Sequence, residues 1–176
     1  MSNFDYASYN RKGQLFTAAN VSAKSVIAVT TAMTGVILHN PIGSGKNLLI
    51  ADVGFVWTTT PAAVHNIGLA LLAPQATQPG TLTAIGSGVL SAAGLGNASN
   101  AAGKAYDAAT LAAAPTAVRW FGGAAFSGTA ATTGPFSMVD YVNGALMLVP
   151  GATMTFTVVT TTAVGMGHVT WAEVPV

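Results

Sequence analysis

Short apolar runs rich in β-branched residues, each closed by Gly, Pro, Asn or Thr, constrain most strongly what this chain can become. The first four, VSAKSVIAVT, GVILHN, NLLIADVGFVWTTT and AAVHNIGLALLAP, follow from Val21 onward. After residue 115 the same texture returns in TAVRWFGGAAF, SMVDYV, GALMLV, TMTFTVVT and VGMGHVTWAEV. In TMTFTVVT the apolar Met154, Phe156 and Val158 alternate with Thr153, Thr155 and Thr157, which predicts a strand with one buried and one wet face. Roughly eight or nine short strands with turn signals between them, and almost no amphipathic helix, point to an all-β fold, an antiparallel β-sandwich or barrel. A jelly-roll-like sandwich is the favoured member. No repeat of fixed period is visible, which disfavours a propeller or solenoid.

Residues 1–20 are polar with spaced aromatics and read as an extended N-terminal arm, and residues 21–176 read as a single β-sandwich domain. The arm has too little apolar continuity to fold alone and should gain order on a partner surface. Aromatics and Arg most often dominate interface energy. The candidate partner-binding residues are therefore Phe4, Tyr6, Tyr9, Arg11, Lys12 and Phe16. Within the domain, residues 75–115 are rich in Ala and Gly and read as an irregular insertion with short strands or one helix. Its helix candidate is Lys104 to Ala114, stopped by Pro115.

Only 11 of 176 residues are charged, or 6%, against about 25% in an ordinary soluble domain. A folded monomer of this size exposes roughly 8,000 Å², so each charge serves about 700 Å² of surface. A free-standing protein usually needs a denser coat of charge. The surface is therefore expected to be covered in a homo-oligomer, with a trimer favoured. A net charge of +1 gives no field to hold nucleic acid or an anionic membrane. Apolar stretches such as Ile67 to Pro74 fall short of the ~18 residues of a spanning helix, so no transmembrane segment is expected. The opening MSNFDYASYNRKGQ lacks the apolar core of a secretory signal, which predicts a cytoplasmic origin. The absence of Cys removes disulfides, thiolate metal sites and thiol nucleophiles together.

Chemistry-bearing motifs are weak. Gly43-Ser44-Gly45-Lys46 resembles the end of a phosphate-binding loop, but that motif needs Gly where Asn40 stands and a hydroxyl where Asn47 stands. It also needs a following helix to aim N–H groups at phosphate, whereas NLLIADVGFVW reads as a strand; PIGSGKN is read as a hairpin turn. His39, His65 and His168 sit in three different strand candidates without ligand spacing and are read as half-buried or interface residues. A Ser-His-Asp set built on Asp52 and His65 has no nucleophile elbow. The carboxylates Asp5, Asp52, Asp107, Asp140 and Glu173 are read as surface or turn residues, and Trp57, Trp120 and Trp171 as buried rings. No catalytic residue, cofactor or metal site is expected.

The pairing of GVILHNPIGSGKNLLI with VDYVNGALMLVPGATMTFTVVTTTAVGMGHVTWAEVPV resembles a recurrent type of tailed-bacteriophage virion protein. In that type a strand, an Asn-Pro-x-Gly-Ser-Gly-Lys turn and an apolar strand come first, and a Pro-Gly turn and a closing Trp-x-Glu strand come last. The resemblance covers about a third to a half of the residues and leaves 75–115 outside it. It implies a capsid decoration or cement protein, or another minor structural protein, jelly-roll-like and without enzymatic activity. The implied partner is the major capsid protein or another virion protein, and the implied location is the capsid surface. Two rivals are a fibre-tip or carbohydrate-binding β-sandwich, which should carry exposed aromatics and polar groups in its loops, and an outer-membrane barrel, for which export signal and aromatic girdles are lacking.

Overall fold

The computed structural model describes residues 5–59, 65–92, 100–124, 137–159 and 162–176. One short helix, α1 (Tyr6–Arg11), precedes strands β1 (Leu15–Ala19), β2 (Lys24–Val26), β3 (Ala32–His39), β4 (Lys46–Trp57) and β5 (His65–Leu72). Then come β6 (Gly80–Ala84), β7 (Leu90–Ser91), β8 (Lys104–Thr110) and β9 (Thr116–Ala124). The chain closes with β10 (Ser137–Asp140), β11 (Met147–Leu148), β12 (Thr153–Val158) and β13 (Ala163–Pro175).

These strands form two antiparallel sheets packed face to face. The first runs β10-β4-β13-β1-β7, with β2 also on β13 and β11 also on β4; the second runs β6-β8-β3-β12-β5-β9. Along the chain, β1, β3, β4 and β5 alternate between the sheets, β9 stays beside β5, and β10, β12 and β13 alternate again. The quartets β1-β13-β4-β10 and β3-β12-β5-β9 are the two halves of a jelly roll. Strands β8 and β6 widen the second sheet beyond β3.

Alternation along each strand drives the packing, because residues two apart share a face. Val36 and Leu38 of β3, Val53 and Phe55 of β4, Met154 and Phe156 of β12, and Val169 and Trp171 of β13 meet in one core between the sheets. Phe55 stands edge-on to Trp57 at 4.9 Å and to Phe156 at 6.2 Å, geometries that favour ring quadrupoles. Gly167 lets the Phe156 ring approach the β13 backbone: a Cβ there would lie 2.3 Å from the ring carbon Cε2.

Several expectations are corrected by this packing. The segment read as an extended arm is a capped helix followed by a sheet strand. The Asp5 carboxylate accepts the Ser8 N–H at 2.9 Å, and β1 pairs with β13 from Leu15↔Ala172 to Ala19↔His168. Phe16 is 2% exposed and packs against Trp171 at 6.0 Å, so burial in the sandwich itself orders it. Tyr6 and Tyr9 lie on an apolar cluster of Leu15, Ala51 and Ala172, on the outer side of the first sheet. Arg11 and Lys12 are exposed, and Phe4 lies outside the described residues.

The helix candidate Lys104–Ala114 is instead β8 as far as Thr110. Helix propensity is a weak prior, and here pairing with β3 on one side and β6 on the other overrides it. Strand β12 is buried on both faces. Thr153, Thr155 and Thr157 are at most 1% exposed, because a second apolar cluster of Met33, Ile37, Leu72, Ala109 and Leu111 builds outward from this sheet, with Ile27 packed on it. The hydroxyls keep partners there: Thr157 donates to the Ile27 carbonyl at 3.2 Å and Thr155 to that of Phe156 at 3.1 Å. Finally, the PIGSGKN turn crosses from the second sheet to the first and does not close a hairpin.

Candidate assembly surface

The turn between β3 and β4 is organised by Asn40, which is fully buried. Its amide donates to the Lys46 and Leu148 carbonyls, both at 2.8 Å, and its Oδ1 accepts the Ser44 hydroxyl at 2.7 Å. Its backbone N–H donates to Ala152 O, and its carbonyl accepts from Gly151 N–H at 2.7 Å. The Asn-Pro and Pro-Gly turns of the sequence are thereby tied together at one end of the sandwich. A strand follows Lys46, so no helix N-terminus faces this turn.

His39 sits beside this hub, buried. Its Nε2 donates to Gln78 Oε1, and its Nδ1 lies in hydrogen-bond range of the Thr153 hydroxyl at 2.9 Å. Burial pushes its pKa below the ordinary imidazole value, with the Gln78 bond opposing. The unfolded chain therefore binds the proton more readily than the folded one. Stability contributed by neutral His39 is expected to be complete above about pH 6.5 and to fall as pH drops below it. Urea midpoints between neutral and mildly acid pH should show a shallower acid-side slope for His39→Gln than for the native chain; equal slopes would contradict this.

The outer face of the first sheet is covered by α1 around Ala51 and Ala172 and carries partly exposed side chains beyond it. One row across it runs through Asp52, Thr170 and Thr17, with Tyr141 following β10 beside Asp52. The next row is Val139, Gly54, His168 and Ala19. A shift in register between Thr170 and Trp171 leaves Ala51 as an extra residue in β4, the geometry of a β-bulge, which re-aims side chains locally. Asp52 beside it faces His168 at 3.3 Å. The imidazole lies over Gly54, where a Cβ would come within 2.2 Å of the ring. Tyr6 donates to Ala51 O at 3.1 Å and bonds Asp52; burial first, then the Asp52 charge, pushes the phenol pKa up. Tyr141 is 67% and Val139 50% exposed on this face.

The sandwich edge beside it joins β10 to β9. Arg119 Nε and Nη2 donate to both Asp140 oxygens at 2.5 and 2.9 Å, a bidentate bridge between the two sheets. Trp57 and Trp171 are buried as expected, but Trp120 is 48% exposed. Its outward side chain lies across Gly68 of β5, on the far face from the core. Two carboxylates read as surface groups are buried. Asp107 is bonded by Asn20 at 2.6 Å and Lys24 at 3.0 Å, and Glu173 accepts the N–H groups of Ala102, Gly103 and the Trp171 indole.

Among the described residues no group of three or more His, Asp or Glu side chains converges to hold a metal ion, and no helix is long and apolar enough to cross a membrane. The described polar clusters therefore tie strands together, while Tyr141, Val139 and Trp120 are large side chains turned outward. Comparisons with known protein families, with curated proteins and with solved structures find no match.

Proposed function

We propose that this chain is a non-enzymatic structural component of a phage virion, a capsid decoration or cement protein that stabilises the shell through subunit contacts. One observation carries the reading: the jelly roll exposes 8178 Å² with so few charges that each serves about 740 Å², and it turns Tyr141, Val139 and Trp120 outward. Interface cores are depleted in charge, and this surface shares that scarcity while exposing Trp120, Tyr141 and several aliphatic side chains. Burial of apolar and hydroxyl-rich surface against neighbouring copies and the major capsid protein, or another virion protein, is the mechanism. Resemblance in the Asn-Pro and Trp-x-Glu segments supports the same reading and implies a position on the capsid surface.

Light scattering after gel filtration tests the self-association this implies. The expected mass is a multiple of 17.6 kDa, threefold for the favoured trimer. A monomer that stays soluble at high micromolar concentration would remove the physical support for the proposal.

A second reading, a carbohydrate-binding module, is favoured by the exposed Tyr141 ring beside Asp52 and Asn143, since sugar recognition pairs an aromatic platform with planar polar groups. Saturation-transfer NMR with a panel of hexoses, repeated on Tyr141→Ala, decides it. Signals lost in the variant would support the module, and none from the native chain would dismiss it.

A further inference from the structure

We infer that the end of the sandwich where β4 begins and β13 finishes docks on an acidic protein surface; this rests on the shell-binding reading above. Cations and carboxylates are not distributed evenly. Lys24 is paired with Asp107 and Arg119 with Asp140. Arg11, Lys12, Lys46 and Lys104 have no carboxylate in ion-pair range among the described residues, which include all five carboxylates of the chain.

The topology collects these four cations at one end. Lys46 opens β4 opposite Pro175, and Lys104 opens β8 opposite His39, the last residue of β3. Arg11 and Lys12 finish α1 just before β1, whose first residue, Leu15, pairs with Ala172. The carboxylate at this end, Glu173, is turned inward and held by three N–H donors. Asp5 caps the opposite end of α1, while Asp52, Asp107 and Asp140 belong to strand interiors or the far edge. Even with a carboxylate counted at Val176, the end remains net positive.

An apolar tip completes it. Ile42 is 46% exposed in the crossing turn, which Asn40 and Gly151 hold in place. An exposed apolar side chain at an end with unpaired cations suits a protein partner, and complementary charge steers encounter and fixes orientation. A phosphodiester strand would match the cations but offer nothing to Ile42. This assigns the basic end to the shell and leaves the part of the outer sheet face around Tyr141 and Val139 for contacts between copies.

The test uses the full chain and a variant, Arg11→Gln/Lys12→Gln/Lys46→Gln/Lys104→Gln, whose thermal melt should match the native one; Arg11→Gln/Lys12→Gln serves if the fourfold variant melts early. Fluorescence anisotropy with labelled polyglutamate should show binding that weakens with salt and falls at least tenfold in the variant. Binding to capsids stripped of this protein should fall at least as much. Equal polyglutamate binding by both chains, or tighter binding to a labelled DNA duplex, would overturn the inference. Capsids that hold native chain and variant alike would overturn it too while leaving the shell reading intact. Native chain that ignores capsids would instead count against that reading, and the polyglutamate comparison still decides the chemistry of this end.

Discussion

Replacing Phe156 by Ala is expected to lower the stability of the sandwich by about 3–5 kcal/mol, and its melting temperature by on the order of 10 °C. The ring is fully buried, touches Phe55 and Phe121 at centroid distances of 6.2 and 5.9 Å, and lies against the bare backbone at Gly167. Truncation opens a cavity between two sheets whose backbones are fixed by hydrogen bonds, so little collapse can fill it. Gly167→Ala has the opposite fault, since its methyl would overlap the ring, and should cost about 1–3 kcal/mol by overpacking. Combining the two substitutions places a methyl where the ring has been removed. The double variant should therefore lose less than the sum of the singles. Urea denaturation of the four chains measures this directly, and strict additivity would show that ring and glycine do not share the space described.

Asn40→Ala should cost about 2–4 kcal/mol, because it strips the buried Leu148 carbonyl of its amide donor and leaves Lys46 O only a longer bond from Ser44. Asn40→Asp keeps the acceptor for Ser44 but removes both donors and buries a charge, so it should be at least as damaging at neutral pH. Both variants should loosen the Pro-Gly turn, which is read as faster hydrogen exchange at Gly151, whose N–H is bonded to Asn40 O. A loss below about 0.5 kcal/mol would mean that the turn is held by other contacts.

This explains why the Gly-Ser-Gly-Lys string misleads as a phosphate motif. Its glycines turn the chain from one sheet to the other, and its Ser44 hydroxyl and Lys46 carbonyl are spent on the turn itself. Apolar, β-branched runs made β3, β4, β5, β12 and β13 legible, and with them the sandwich, because each has its own hydropathy signal. Strand β1 was hidden because Thr17 and the polar residues before Leu15 dilute the alternation that buries Phe16 and Ala18. In β8 the buried Ala105 and Ala109 flank a polar Asp107, so burial alternates where hydropathy does not. The threonine face of β12 looked wet because nothing local announces that Leu111 and Ile27, far along the chain, will help cover it.

The candidate surface was less legible than the fold. Residue types pointed to a surface starved of charge, and that follows from composition alone. Which residues gather on it depends on register: Asp52 meets His168 across the sheet through a bulge, and Trp120 turns outward because Gly68 lies beneath it. The basic end is equally long-range, since Arg11, Lys46 and Lys104 come together through jelly-roll winding and not through spacing.

The central claim is that this jelly roll is built to be covered in a viral shell, and co-sedimentation with capsids stripped of it tests that most directly. Titrated onto such capsids, the native protein should pellet with them, saturate at a fixed number of copies per shell and raise the temperature at which the shell disrupts. Protein that remains in the supernatant at every concentration, with the shell's thermal stability unchanged, would contradict the account.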